Sequence, residues 1–391
     1  MTSSSSDSRS ALDAHIIRKY EVLNLLGKGA YGLVWKVTDK KTGQLLALKK
    51  IFDAFQNDTD AQRTFREIMF LQQLNHPNIV RLLNVLKADN DYDIYLVFDY
   101  LETDLHTVIR SNILEPIHKQ YITFQIIRAL RYIHSGKLIH RDMKPSNVLL
   151  NADCTVKLAD FGLARSLAST PSGRVPILTD YVATRWYRSP EILLGSSNYS
   201  EGADMWAVGC ILAEILLGEP VFPGKSTMNQ LSMIAGLIGP PSEEDIASMK
   251  SQYAASMLRT LTTVRKVPME VRFPNAPVEA IDLMKKLIVF NPTKRLSAVE
   301  AMKHPFVSIF NNSLEDIVYE GDIKISMDDN RRYNLEEYRT KLYAEIVARK
   351  KEMRRLAMQR HKRQGGNSSV RSRSQSNAIG RSNSRNRQQW K

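Results

Sequence analysis

Residues 139–147, IHRDMKPSN, put a carboxylate, an ammonium group and a carboxamide within six positions of one another. Asp142 can accept or orient the proton of a hydroxyl group, and Lys144 can steady a phosphate anion. Asn147 and, thirteen residues further on, Asp160 of a D-F-G sequence offer the hard oxygen ligands that suit Mg²⁺. Because phosphoryl transfer depends on positioning and on neutralising negative charge, this set predicts transfer of a phosphoryl group to a hydroxyl.

A glycine-rich sequence, GKGAYGLV, covers residues 27–34. Glycines let the backbone approach a polyphosphate closely and direct its N–H groups at the anionic oxygens. Dinucleotide-binding proteins share such a sequence, but there it leads into a helix, whereas both flanks are strand-like here. We therefore expect a phosphate-binding turn between two strands, preceded by Leu26 and made of Gly27, Lys28, Gly29, Ala30, Tyr31, Gly32 and Val34.

The strand-like sequence Leu46-Ala47-Leu48-Lys49 ends in a lysine that we expect beneath the glycine-rich turn. Its ammonium group could neutralise phosphate oxygens there, held in place by an ion pair with Glu67 of the next helix. Taken alone, Lys49 could equally be a solvated surface lysine. Lys50 beside it is predicted to be one.

Two kinds of hydrophobic pattern divide the chain near Tyr100. Before it, segments rich in Val, Leu and aromatic residues predict strands over 21–26, 32–38, 44–51, 79–86 and 94–100. One helix interrupts them, from about Thr59-Asp60 to about Asn75. Beyond Asp104 the pattern is mainly helical, with helices over 119–134 and 203–217. A small β-rich lobe and a larger α-rich lobe would leave a cleft between them, which is a natural ligand site.

The order of glycine-rich turn, lysine, helix glutamate, H-R-D and D-F-G resembles a eukaryotic protein kinase domain over residues 20–306. Ser189-Pro190-Glu191, Asp204-Met205-Trp206 and Arg295 add to the resemblance. It implies an α+β, bilobal fold, with a β-rich N-lobe over 15–100 and an α-helical C-lobe over 101–310. It also implies ATP and Mg²⁺ as cofactors, with catalytic roles for Asp142, Lys144 and Asn147 and metal ligands from Asn147 and Asp160.

The resemblance extends to the purine pocket. The linker Asp99-Tyr100-Leu101 would offer backbone carbonyl and N–H groups to the base, and Phe98 stands at the position that limits the pocket behind it. Apolar side chains would cover the two faces of the ring, which is compatible with their belonging to the hydrophobic core; they are Leu26, Val34, Ala47 and Leu149.

Residues 179–188, TDYVATRWYR, are similar to the activation lip of the mitogen-activated protein kinases, and residues 49–68 most resemble the atypical extracellular-signal-regulated branch. This resemblance implies a signalling enzyme that phosphorylates Ser or Thr followed by Pro. It implies activation through phosphorylation of Thr179 and Tyr181, by the enzyme itself or by an upstream dual-specificity kinase. The phosphates would be received by arginines: Arg66, Arg141 and Arg165 for Thr179, and Arg185 and Arg188 for Tyr181.

Charge separates the tail from the rest of the chain. Residues 331–391 hold 18 of the 55 Lys and Arg but only 4 of the 41 Asp and Glu, so the net charge of +14 lies there. We predict a disordered N-terminus over 1–14, a C-terminal extension over 311–345 that packs on the kinase core, and a basic helix with a disordered Ser/Arg-rich tail over 346–391.

The tail leaves several partners open. Its basic residues could form a nuclear-import signal, contact RNA, bind an acidic cytoskeletal surface, or simply aid solubility. The acidic residues before it could form a docking patch or a solvated face; they are Glu315, Asp316, Glu320 and Asp322.

The composition argues against several other classes. Two cysteines without a CxxC pattern disfavour a disulfide scaffold or a zinc site, and no apolar run approaches the roughly 20 residues of a membrane span. We therefore expect a cytoplasmic or nuclear protein without a membrane partner. A pseudokinase scaffold, or a protein that acts mainly through its tail, are the alternatives. The first usually lacks a catalytic or metal-binding group, and the second fits poorly with the balanced charge of residues 1–330.

Overall fold

The computed structural model describes residues 11–29, 32–169, 185–196, 200–251, 253–261, 264–311 and 317–352, and residues 354, 355, 358 and 359. Several sequence predictions lie outside the described residues: those for Ala30, Tyr31, Thr179, Tyr181, Glu315 and Asp316. The chain divides into two units, 1–333 and 334–391, which are described separately.

A five-stranded antiparallel sheet forms the small lobe, in the order β1-β2-β3-β5-β4. Its strands are β1 (Tyr20–Gly29), β2 (Gly32–Asp39), β3 (Leu45–Ile51), β4 (Leu82–Lys87) and β5 (Ile94–Asp99). Helix α1 (Ala14–Lys19) precedes the sheet, and helix α2 (Asp58–Leu71) follows β3. Helix α2 begins earlier than predicted because the Asn57 side chain caps it by accepting the N–H of Asp60.

The segment before the sheet contributes to the core of this lobe. Leu12 and Ile16 are buried together with side chains of β2, β3 and β5, including Trp35 and Tyr95. The Asp13 N–H donates to Tyr95 Oη at 3.2 Å. Residues 11–14 therefore have a defined place on the sheet, although the sequence put them in a disordered N-terminus.

Lys50 corrects one sequence prediction, because it is not a solvated surface lysine. Successive side chains of a strand point to opposite faces, so Lys49 and Lys50 of β3 leave the sheet on different sides. The N-terminal segment covers the Lys50 side, where Nζ pairs with Asp93 at 3.0 Å and donates to the Ala11 carbonyl at 2.8 Å. The prediction failed because the sequence offered no sign that residues 11–13 would cover this face.

The larger lobe is mainly helical. Its helices are α3 (Leu105–Ser111), α4 (Pro116–Ser135), α5 (Pro190–Leu193), α6 (Gly202–Leu217), α7 (Thr227–Ile238), α8 (Glu243–Ser248), α9 (Ala254–Leu258), α10 (Met269–Arg272), α11 (Val278–Leu287), α12 (Ala298–Ala301) and α13 (Pro305–Ser308). Two small sheets carry the functional loops: β6 (Thr103–Asp104), β8 (Val148–Leu150) and β9 (Val156–Leu158) in one, and β7 (Leu138–Ile139) and β10 (Arg165–Ser166) in the other.

Helix α6 is almost entirely apolar and lies in the centre of this lobe. Its glycine at 209 is required by packing, because a Cβ there would lie 2.6 Å from Ile288 Cγ1. The predicted α+β, bilobal architecture is confirmed.

The second unit contains a helix, α14, over 335–352. Asn334 caps it, because its side chain accepts the N–H of Glu337 while the Glu337 carboxylate accepts the N–H of Asn334. Among the residues that the structure describes, every helix is too short or too polar to cross a lipid bilayer.

Candidate active site

Lys49 and Glu67 join the sheet to helix α2 at the mouth of the cleft. Lys49 Nζ lies 2.9 Å from Glu67 Oε1 and 3.0 Å from Oε2. Burial lowers the pKa of Lys49, but the negative charges of Glu67 and Asp160 outweigh that effect and raise it above its ordinary value. Lys49 is therefore a firmly charged cation, held at a fixed place, that faces Asp160.

The glycine-rich sequence includes the ends of β1 and β2, which pair antiparallel so that Gly29 lies opposite Gly32. Val34 of β2 lies opposite Lys49 of β3. A Cβ on Gly32 would lie 1.9 Å from the Lys50 carbonyl oxygen, so only glycine fits against strand β3. At Gly27, none of the described residues would come within 4 Å of a Cβ. Packing within the described protein thus requires glycine at position 32 but not at position 27.

Asp142, Lys144 and Asn147 form one hydrogen-bonded group in the loop between β7 and β8. Lys144 Nζ donates to Asp142 Oδ2 at 2.6 Å. The Asn147 carboxamide donates to the Asp142 carbonyl oxygen at 2.8 Å and to Asp142 Oδ2 at 3.1 Å. Because its N–H groups are directed at Asp142, the carboxamide oxygen of Asn147 points away from Asp142 and can act as a cation ligand.

Asp204 on helix α6 anchors this loop from below. Its carboxylate accepts the backbone N–H of His140 and of Arg141, each at 2.8 Å, and contacts His134 Nε2 at 2.9 Å. Burial alone raises the pKa of Asp204, but its hydrogen bond and charge interactions with His134 and the neighbouring His140 hold the pKa below its usual range. The ionised carboxylate therefore fixes the backbone just before Asp142. Sequence reasoning noted Asp204 only as part of a family motif and missed this function, because it lies more than 60 residues from the loop.

The D-F-G segment is held against the same loop. Phe161 is buried, with its ring centroid 4.8 Å from that of His140, and His140 Nε2 lies 3.0 Å from the Ala159 carbonyl oxygen. Asp160 and Arg141 both adopt left-handed backbone conformations, with φ of 65° and 67°. Such conformations are costly for residues other than glycine and tend to persist where surrounding contacts enforce them, often at functional sites.

A cavity of about 460 Å³ lies between these groups and is open to solvent. Polar and glycine positions predicted from the sequence line it: Gly29, Gly32, Lys49, Glu67, Asp142, Lys144 and Asp160. Val34 is the one predicted apolar contact to the base that also lines it.

The other predicted purine contacts lie on strands and in the linker, and they are not among the residues that line this cavity. Ala47 on β3 pairs with Phe98 on β5, and Phe98 is buried. Asp99 ends β5, and its carboxylate pairs with Arg81 at 3.0 Å and with Lys157 at 3.3 Å. Leu26 lies on β1, Leu101 in the linker and Leu149 on β8, and Gly27 and Lys28 lie on β1.

Three of the predicted phosphate receivers converge, and the anion that they meet is Asp329. Arg66 Nε on α2 lies 2.6 Å from Asp329 Oδ1, and Arg165 Nη1 on β10 lies 3.2 Å from Oδ2. The charge of Arg141 also acts on Asp329. Nothing in the sequence drew attention to Asp329, which lies far from all three arginines along the chain.

Arg185 and Arg188 lie in a separate segment, at a short 3₁₀ helix over Arg185–Tyr187. Arg185 Nη1 donates to the Lys225 carbonyl oxygen at 3.5 Å, and the Arg188 N–H donates to the Arg185 carbonyl oxygen at 3.1 Å. Beyond them, the buried pair of Glu191 and Arg295 holds helix α5, with both oxygen–nitrogen distances at 2.7 Å.

The protein kinase domain family matches residues 20–307 of the chain. The chain is 58% identical to extracellular signal-regulated kinase 2 of Dictyostelium discoideum. That match takes in 88% of the chain and 94% of the relative. It is 56% identical to mitogen-activated protein kinase 15 of Xenopus laevis and 45% identical to extracellular signal-regulated kinase 7 of Drosophila melanogaster. These matches take in 88% and 86% of the chain, but only 59% and 38% of those two longer relatives.

Proposed function

The chain belongs to the protein kinase family, in its mitogen-activated branch, and we propose that it transfers the γ-phosphoryl group of ATP in the cleft between its two lobes. It is a serine/threonine protein kinase. The main support for the proposed site is that one cavity is lined by five of the predicted residues: Lys49, Glu67, Asp142, Lys144 and Asp160. These are the charges that positioning a triphosphate and accepting a hydroxyl proton require.

The donor set fits ATP with Mg²⁺. The carboxylate of Asp160 and the carboxamide oxygen of Asn147 are hard oxygen ligands, and Lys49 supplies a fixed positive charge beside them. When bound, Mg²⁺ neutralises charge on the phosphate oxygens. The glycine-rich turn would cover the phosphates, and Leu26, Val34, Ala47, Phe98, Leu101 and Leu149 would enclose the base.

Asp142 has the role of orienting the substrate hydroxyl and accepting its proton. Its carboxylate is held by Lys144 and Asn147, and its backbone is held through the neighbouring Asp204 contacts. A base that is fixed in this way loses little freedom when the substrate binds. Lys144 is close enough to the same carboxylate to contact a phosphoryl group in transfer.

Protein substrates and regulators are the partners of such an enzyme. We further propose that target residues are Ser or Thr followed by Pro, and that phosphates on Thr179 and Tyr181 activate the enzyme. Self-phosphorylation or an upstream dual-specificity kinase would supply them. The convergence of Arg66, Arg141 and Arg165 supports a receiver for phospho-Thr179, and Arg185 and Arg188 would receive phospho-Tyr181.

We also propose that the enzyme acts in the cytoplasm or nucleus. Its C-terminal extension over 311–345 would pack on the core, and its basic tail over 346–391 would bind an acidic partner. RNA or a cytoskeletal surface would suit that charge.

One experiment tests the function. Purified protein is incubated with Mg²⁺ and ATP, and its phosphates are mapped by mass spectrometry for the wild type and for Asp160→Asn. We expect phosphate on Thr179 and Tyr181 in the wild type alone. Equal incorporation of phosphate at these sites by both proteins during the incubation would count against the proposed site.

A further inference from the structure

Asp329 is a buried carboxylate in a segment that contains none of the proposed catalytic residues. It lies in residues 317–333, beyond the last helix of the large lobe, and only 7% of its surface is exposed. Its neighbour Asp328 is exposed. Burying a charge without a partner is unfavourable, so the position of Asp329 depends on the guanidinium groups of Arg66 and Arg165.

The two arginines come from different parts of the catalytic machinery. Arg66 lies on α2 next to Glu67, and Arg165 lies three residues after Gly162 of the D-F-G sequence. Both side chains are almost fully buried. Asp329 therefore connects helix α2 of the small lobe to the segment that carries Asp160, and it does so through charge-assisted hydrogen bonds.

Because Glu67 lies on α2 and Lys49 lies on β3, the orientation of α2 sets the distance between them. Arg66 and Glu67 are consecutive on this helix, so holding the Arg66 guanidinium also limits how far the helix can rotate about its axis. With Arg66 held at 2.6 Å by Asp329, Glu67 meets Lys49 at 2.9 Å. Asp329 thus acts on the nucleotide site through α2 without lining the cavity.

Asp329 meets the same arginines that we propose as the receiver of phospho-Thr179. A phosphate carries up to two negative charges and three acceptor oxygens, whereas a carboxylate carries one charge and two oxygens. Arg66 and Arg165 contact Asp329 directly, and the charge of Arg141 acts on it. A phosphate, with more charge and more acceptor oxygens than a carboxylate, would compete with Asp329 for these guanidinium groups.

We propose that Asp329 is a positioning residue, a counter-ion attached to the enzyme itself, which holds α2 in place before the lip is phosphorylated and which phospho-Thr179 replaces. The inference rests on the proposed kinase function and on the proposed receiver. It gives the enzyme a basal activity that does not depend on lip phosphate. That activity is what self-phosphorylation of the lip would need.

The test uses the full chain, treated with a phosphatase that is then removed, and measures initial transfer to a peptide containing Ser-Pro. We expect Asp329→Asn to lower kcat/KM by about tenfold, the factor that loss of a charge-assisted hydrogen bond corresponds to. The matched control Asp328→Asn, an exposed acid one residue away, should change it by less than about twofold. Asp329→Glu, which keeps the charge, should retain most of the activity.

A second measurement separates positioning from a merely structural role. The variants are phosphorylated on the lip by an active wild-type copy, and the transfer rate is measured again. We expect phosphorylated Asp329→Asn to approach the phosphorylated wild type, because phosphate now fills the arginine cluster.

Four results would overturn the inference. Before phosphorylation, they are a transfer rate of Asp329→Asn equal to or above that of the wild type, and a wild type without activity. The others are a slow Asp329→Asn whose rate lip phosphate does not restore, and an Asp329→Glu as slow as Asp329→Asn. The Glu variant keeps the test decisive if the Asn variant does not fold. A wild type that is inactive in both phosphorylation states would instead refute the proposed kinase function.

Discussion

The ammonium nitrogen of Lys49 lies 2.9 Å from a carboxylate oxygen of Glu67, and this contact joins strand β3 to helix α2. It puts a fixed positive charge beside Asp160 without using the Asp160 carboxylate as its hydrogen-bond partner. The cleft therefore has a cation for phosphate and a separate carboxylate for a metal ion. The first prediction concerns this pair.

Glu67→Gln should lower kcat/KM for ATP by about tenfold or more, because the neutral amide holds the Lys49 ammonium group less firmly. Lys49→Met should remove activity while the protein stays folded. The control is Lys285→Met, which removes an exposed ion pair with Glu270 and should leave the rate unchanged. Steady-state kinetics with varied ATP measure the effect. Normal kinetics in Glu67→Gln would contradict the role of the pair.

The second prediction concerns Asp204, which holds the backbone of His140 and Arg141. Asp204→Asn keeps the shape but replaces one acceptor oxygen with an N–H₂ group that faces donors. We expect a loss of about 2 kcal/mol in the free energy of unfolding. Turnover should fall more than the affinity for ATP, because the loop that carries Asp142 would lose its anchor. Denaturant titration and a kcat–KM comparison measure both, and unchanged turnover would count against the anchor.

The third prediction uses a matched pair of glycines in one turn. Gly32→Ala should destabilise the small lobe by about 2 kcal/mol, because its Cβ would collide with the Lys50 carbonyl oxygen. Gly27→Ala meets no described protein atom within 4 Å, so it should leave stability unchanged and raise KM for ATP. Thermal unfolding and ATP-dependent rates separate the two effects. A destabilised Gly27→Ala with normal KM would reverse the assignment.

The fourth prediction is a pH dependence of stability that comes from His76. Burial, helped by the charges of Arg128 and Lys157, lowers the pKa of His76 to about 3. Its Nδ1 accepts the N–H of Asn78 at 3.1 Å, which requires a neutral ring. At pH values between about 3 and the ordinary pKa near 6.5, His76 is protonated in the unfolded chain but neutral in the folded chain. The contribution of His76 to the free energy of unfolding should therefore fall as the pH drops below about 6.5, by at most about 1.4 kcal/mol per pH unit.

The measurement is a series of urea titrations from pH 7.5 to 5. In His76→Gln, which cannot gain this proton, the decrease with falling pH should be shallower than in the wild type. His106→Gln, at an exposed histidine, should keep the wild-type slope. Equal slopes in all three proteins would contradict a neutral buried His76.

The sequence predicted the architecture because its signals are local. Each signal spans only a few consecutive residues, and the strand or loop that it specifies is formed by those same residues. The signals are the alternating apolar residues, the glycine-rich turns and the H-R-D and D-F-G sequences. Lys49 and Glu67 were expected to pair because Glu67 lies on the helix that follows the strand carrying Lys49. The start of α2 was placed one or two residues late, because the capping role of Asn57 was not recognised.

Residues that act across long sequence separations were the ones that were misjudged. Lys50 looked like a surface lysine because the segment that covers it lies 39 positions away. The anchoring role of Asp204 and the presence of Asp329 among the receiver arginines were missed for the same reason. Such contacts depend on how elements pack, and neither hydrophobic periodicity nor motif spacing contains that information.

The central claim is that Asp142 serves as the base in a magnesium–ATP cleft. It is tested most directly by comparing phosphate transfer from ATP to a Ser-Pro peptide in the wild type and in Asp142→Asn, with ATP binding measured in both. We predict that the variant binds ATP as the wild type does, since Asp142 is not assigned to the nucleotide, and that transfer falls by about a hundredfold or more. Transfer at the wild-type rate in a variant that binds ATP normally would contradict this account.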